Sequence, residues 1–110
     1  MDSRYALLAD QLLLIERELR RLGWWAETAP SAEALASVEP FCGDTLAFEH
    51  WLQWVLLVRM KAIIEAGGAL PAVSGIAPMA EMAFQGRLEQ AAGLLAMLGE
   101  FDQLIGGAAS

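Results

Sequence analysis

Apolar residues recur at Leu8, Leu12, Ile15, Leu19 and Leu22, at alternating steps of four and three. That spacing puts them on one stripe of a helix. It predicts a first helix over "DSRYALLADQLLLIERELRRLG", residues 2–23, with Asp2 or Ser3 as cap and Gly23 as stop. Glu16, Arg17, Arg20 and Arg21 lie off the stripe. A second long block, "TLAFEHWLQWVLLVRMKAIIEA", follows Asp44, a good N-cap, and precedes Gly67 and Gly68, which stop it. Wound at 3.6 residues per turn, it places Phe48, Trp51, Val55, Val58 and Ala62 on one face. Leu46, Leu56, Leu57 and Ile64 fall on other sides, so the helix is apolar nearly all round, as a central buried helix is.

Between these helices, Pro30 and Pro40 bracket "SAEALAS", enough for one or two helical turns. The rest of that segment reads as an ordered loop packed on the bundle through its tryptophans and Phe41. After the loop "GALPAVSGI", Pro78 suits the first turn of a short helix, "APMAEMAF", which Gly86 separates from the last helix. That helix, "RLEQAAGLLAMLGEFDQLIGG", aligns Ala91, Leu94, Leu95, Leu98, Phe101 and Ile105, and the tail "GGAAS" is expected to fray from about residue 106. No stretch alternates as a strand does. The expected fold is all-α: a compact bundle or array of four to five helices, three long and one or two short. One domain over residues 1–110 is expected.

Composition supports this. Hydrophobic residues make up 56% and charged residues 19%, with Ala and Leu dominant. The net charge of −7 repels phosphate and anionic lipid, so neither nucleic acid nor a membrane is an expected partner. "RELRR" reads as cations complementing a helix C-terminus. The single Cys42 cannot form an internal disulfide and fits a reducing compartment; no signal peptide or membrane span is recognisable. A cytoplasmic location is the expectation. "WVLLV" is the longest apolar run of the central block, far short of the ~20 residues a bilayer needs.

Little in the chain suggests catalysis. Cys42, Asp44, Glu49 and His50 are close in sequence but fit no zinc spacing, and Cys42 with His50 lacks the signature of a nucleophile and base. Neither a cofactor nor a metal is expected. Arg59 is the informative residue, because helical geometry sets it between Phe48 and Leu52 on the flank of the inward face. It must reach solvent or pair, with Asp102 and Glu81 as candidate carboxylates. The rival reading makes Arg59, with Gln53 and Trp54, the charged spot of a pocket that grips an anionic ligand or partner carboxylate. Of the four tryptophans, Trp51 should point to the core and Trp54 near its edge; one of Trp24 and Trp25 is expected to be exposed.

"PFCGDTLAFEHWLQWVLLVRM", "LPAVSGIAPMAEMAF" and "LLAMLGEFDQLI" together resemble the YqcC-like family of small bacterial proteins, from about Leu7 to Ile105. Where members tend to carry Ile-Pro before Arg-Met, this chain has Leu57–Val58, and without proline the helix can run straight through. His50 stands where members carry other polar residues. The resemblance implies an all-helical domain of four or five helices and supplies no activity. Members are often encoded beside a tRNA pseudouridine synthase, which implies a partner or an RNA-modification context. The expected function is therefore a non-catalytic accessory or interaction protein with a protein partner or self-association. The alternative is a ligand-binding bundle with its pocket near Arg59.

Overall fold

The computed structural model describes residues 4–72 and 74–106, and among these it has helices and no strand. Helix α1 is Arg4–Arg21, α2 is the single turn Ala32–Leu35, and α3 covers residues 48–66. Helix α4 is Ile76–Ala83 and α5 is Leu88–Gly106. The expected caps at Asp2 or Ser3 and most of the expected frayed tail lie outside the described residues. Among the described residues, no helix is long and apolar enough to cross a membrane.

Glycine closes both long N-terminal helices. Gly23 takes φ 76°, so that Trp24 N–H donates to Leu19 O and Gly23 N–H to Arg20 O. Gly67, at φ 64°, repeats the pattern with bonds from Gly68 to Ile63 O and from Gly67 to Ile64 O. Both are left-handed turns that satisfy otherwise orphaned carbonyls. Ser31 caps α2 by accepting from Ala34 N–H at 3.1 Å.

Asp44 is not the cap of α3, contrary to expectation. Its carboxylate accepts from the Ser37 hydroxyl at 2.5 Å, while Thr45 and Leu46 N–H both turn back to Cys42 O. Helical conformation starts only at Phe48, four residues after Asp44. Ahead of it lies a 3₁₀ turn, Pro40–Cys42, in which Phe41 and Cys42 hold φ of 57° and 50°. Two successive side-chain-bearing residues in left-handed space are costly. Here the Phe41 ring is held against Trp51 (4.8 Å between centroids) and Phe48 (5.7 Å).

Helix α3 is continuous but not regular. It is α-helical at Phe48–Trp51, π-helical at Leu52–Leu56 and α-helical again at Leu57–Ala66. A π turn accommodates one extra residue, so everything after it is rotated by roughly 100° from where a 3.6-residue wheel places it. The inward line is therefore Leu52, Leu56, Leu57 and Met60, all buried. Val58 and Ala62, assigned inward from the sequence, are exposed, as are Arg59 and Lys61. The helix is buried along one side, not all round.

The core closes around this line. Leu8, Leu12, Ile15 and Leu19 of α1 meet Ala91, Leu94, Leu98, Phe101 and Ile105 of α5, with Ala80 of α4 and Phe84 at its C-cap filling between them. These are the α1 and α5 stripes read from the sequence, with Leu22 and Leu95 at the margin. Gln11 crosses the α1–α5 seam and donates to Met97 O at 2.7 Å. Arg4 donates to the Leu104 and Ile105 carbonyls at the far end of α5.

Candidate functional site

The π turn projects Gln53 towards the loop after α1. Gln53 is 4% exposed, and its amide makes two bonds to one residue: Ala26 N–H donates to Oε1 at 2.8 Å and Nε2 donates to Ala26 O at 2.7 Å. That pairing satisfies both backbone groups of a loop residue as a strand partner would, and it fixes the tryptophan pair just before it. Trp24 packs on Phe84 at 5.0 Å beneath the Arg87 guanidinium, 4.5 Å from the ring centre. Trp25 lies under Arg20 at 4.3 Å. Both rings are half-buried, so the expectation that one of them is exposed gives way to two cation-covered rings.

A cleft of about 550 Å³ opens between this loop and α3. Trp25, Trp54, Leu57 and Val58 form its apolar wall, and Arg20, Lys61 and Glu27 stand at its rim. Arg20 Nε is 3.1 Å from Glu16 Oε2 and Lys61 Nζ is 3.4 Å from Glu16 Oε1, so two cations share one carboxylate. Trp54 Nε1 is buried without a hydrogen-bond partner among the described residues.

The structure separates the residues that the sequence grouped around Arg59. Arg59 is exposed, has no ion pair among the described residues, and does not line the cleft. Rotation by the π turn explains this, since it carries residue 59 off the inward flank that a regular helix would give it. Asp102 does not pair with Arg59. It accepts from Ser74 Oγ at 2.5 Å and from the backbone N–H groups of Ile76 (3.1 Å) and Ala77 (2.8 Å). A carboxylate on α5 thus caps α4, favourably placed against the positive end of its dipole. Glu81 is exposed on α4 and takes no ion pair among the described residues. Gln53 and Trp54 do meet at a cleft, but without the arginine assigned to them.

Two other polar relationships were not foreseen. Glu18 is 8% exposed on α1 and receives two bonds from Arg21, at 2.8 and 2.6 Å. These hydrogen bonds, aided by the guanidinium charge and opposed by burial, hold its carboxyl below the ordinary value. Gly93 of α5 makes room for it: a Cβ there would lie 2.8 Å from Glu18 Oε2. Arg87, besides covering Trp24, reaches Glu49 at 3.4 Å, and the other oxygen of Glu49 is buried without a partner among the described residues. The i, i+3 spacing of Glu18 and Arg21 was readable in the sequence; the pairing of Glu49 with Arg87, 38 residues apart, was not.

Cys42 is buried, with Sγ 4.0 Å from Leu35 O. Among the described residues no three His, Cys, Asp or Glu side chains gather as metal ligands.

Residues 7–104 match the family model DUF446, described as tRNA pseudouridine synthase C. The protein YqcC of Escherichia coli K12 is 36% identical over 100 residues, 91% of this chain and 92% of YqcC. The chain belongs to the YqcC-like family. The solution NMR structure of E. coli YqcC covers 99% of this chain and 93% of its own at a TM-score of 0.86 and 33% identity, so the helical fold is the family's. An uncharacterised protein of Haemophilus influenzae is 45% identical over 67 residues, 61% of this chain and 63% of that protein. A protein of Pectobacterium carotovorum named tRNA pseudouridine synthase C is 45% identical over 69 residues. That match takes in 63% of this chain and 18% of the Pectobacterium protein, so it spans less than a fifth of that protein's length.

Proposed function

We propose that this YqcC-like chain is a non-catalytic accessory module that docks on a protein partner in tRNA pseudouridine synthesis. One observation carries the reading. A segment 45% identical to this chain makes up 18% of a protein named tRNA pseudouridine synthase C, while E. coli YqcC matches this chain along 92% of its own length. A module that occurs both alone and joined to a larger polypeptide is suited to binding that polypeptide when separate.

The surface agrees with this use. Val58 is 54% exposed beside the tryptophan cleft, where an apolar side chain of a partner would be covered along with it. A charge of −7 favours a basic protein surface over tRNA phosphate.

Size-exclusion chromatography of the purified protein mixed with the tRNA pseudouridine synthase C of the same cell tests the reading. Co-elution as one complex, in the absence of tRNA, is the expected result. Separate elution together with direct tRNA binding by this chain overturns it.

A further inference from the structure

A second groove, of about 360 Å³, shares no lining residue with the tryptophan cleft. Phe41, Leu46 and Phe48 line it from the turn before α3 and the start of that helix, and Met79 and Met82 line it from α4. Its first wall is held in shape. The Ser37 hydroxyl donates to Asp44, Thr45 Oγ1 donates to Ala34 O at 2.7 Å, and the Phe41 ring packs on Phe48 and Trp51. Met82 is nonetheless 69% exposed. Unbranched, polarisable methionines adapt to what they cover, which suits a docking surface.

The charge around this groove has one sign. From residue 22 to residue 58 the chain carries Glu27, Glu33, Glu39, Asp44 and Glu49, and no lysine or arginine. Glu39 precedes Pro40 of the groove, Asp44 follows Gly43, and Glu81 precedes Met82. All three carboxylates are exposed, and none has an ion pair among the described residues. An apolar strip with acidic flanks repels phosphate and anionic lipid. A second copy docked symmetrically would set the same carboxylates against each other.

We infer that this groove docks a basic amphipathic segment of a protein partner, with apolar anchors flanked by lysine or arginine. The anchors lie against Phe41, Leu46, Met79 and Met82, and the cations meet Glu39, Asp44 and Glu81. The occupant has the sign that the net charge of −7 favours. The inference stands whether or not the partner is the synthase proposed above.

The test uses the full chain with ¹³C-labelled methionine methyl groups as NMR reporters. The probes are the capped peptide acetyl-Lys-Lys-Leu-Lys-Lys-Leu-Lys-amide, a counterpart with glutamine for every lysine, and one with alanine for both leucines. The lysine–leucine peptide is expected to shift the Met79 and Met82 signals saturably. Met60, buried in the core, and Met97, beside Leu14 and Glu18, should stay in place. Each counterpart should bind at least about tenfold more weakly. Glu39→Gln and Glu81→Gln should each weaken the peptide by about threefold or more, and Val58→Ser, at the tryptophan cleft, should leave it unchanged. Equal binding of the lysine and glutamine peptides, no shift at millimolar peptide, or shifts at Met60 and Met97 in place of Met79 and Met82 overturns the assignment. Met79 and Met82 signals that move with protein concentration alone give the face to a second copy and overturn it as well. Peptide binding without a synthase complex leaves this groove standing and removes the synthase as the partner.

Discussion

Gln53 and Ala26 are joined by a closed pair of hydrogen bonds, donor to acceptor in both directions, at 2.8 and 2.7 Å. The pair ties the π turn of α3 to the loop that carries Trp24 and Trp25, and so it builds one wall of the cleft. Gln53→Ala leaves both Ala26 backbone groups without their partner in a half-buried place. The expected cost is about 1–3 kcal/mol in chemical denaturation, with Trp25 more accessible to a fluorescence quencher. An unchanged midpoint would show that water replaces the amide.

Asp102 holds α4 from a different helix. Asp102→Ala removes the acceptor for Ser74, Ile76 and Ala77. It should cost about 1–2 kcal/mol, with amide exchange fastest at Ile76 and Ala77. Asp102→Asn should recover part of that loss, because one oxygen still accepts while the charge at the helix start is gone.

Arg59→Met should leave the melting temperature within the scatter of ordinary surface changes, about 0.5 kcal/mol, since Arg59 is exposed and has no ion pair among the described residues. A drop of several degrees would mean that Arg59 does secure the packing after all.

What the sequence disclosed follows from which interactions are periodic. Leu8, Leu12, Ile15 and Leu19, and Ala91, Leu94, Leu98, Phe101 and Ile105, lie on regular helices, and spacing alone finds their buried faces. Helix α3 defeats the same method at one point. The π turn at Leu52–Leu56 has no residue signature, and an error of one residue turns Val58 outward and carries Arg59 with it. The roles of Gln53 and Asp102 depend on partners 27 residues and 25–28 residues away. No local pattern records such distances. Gln53 and Trp54, which one reading of the sequence set in a pocket with Arg59, line a cleft without it.

Glu18 makes folding sensitive to acid. Its folded carboxyl lies below the ordinary 4.5 because Arg21 donates to it and lends its charge. The unfolded chain therefore takes up the proton first. The stability that this carboxylate contributes is complete above about pH 4.5 and is lost as pH falls through the lower folded value. Denaturation midpoints of wild type and Glu18→Gln should differ at pH 7, and the difference should shrink as pH falls below 4.5. A constant difference would contradict the role of the charge.

Gly93→Ala crowds the same carboxylate. The added methyl would stand 2.8 Å from Glu18 Oε2, so either the α1–α5 seam opens or Arg21 loses its grip. The carboxylate can swing aside and alanine favours the helix by about 1 kcal/mol, so the net change should be under about 1 kcal/mol and more favourable in a Glu18→Ala background. Equal changes in both backgrounds would show that the crowding lies elsewhere.

Calorimetric titration of the tRNA pseudouridine synthase C with this chain and with its Val58→Asp variant tests the proposed function most directly. Val58 is exposed beside the cleft, so the variant should keep the wild-type melting temperature. The expected result is a saturable complex for the wild type, weakened at least tenfold by the substitution. No heat of binding from the wild-type protein would contradict docking on the synthase, and identical affinities for the two proteins would contradict docking through the cleft.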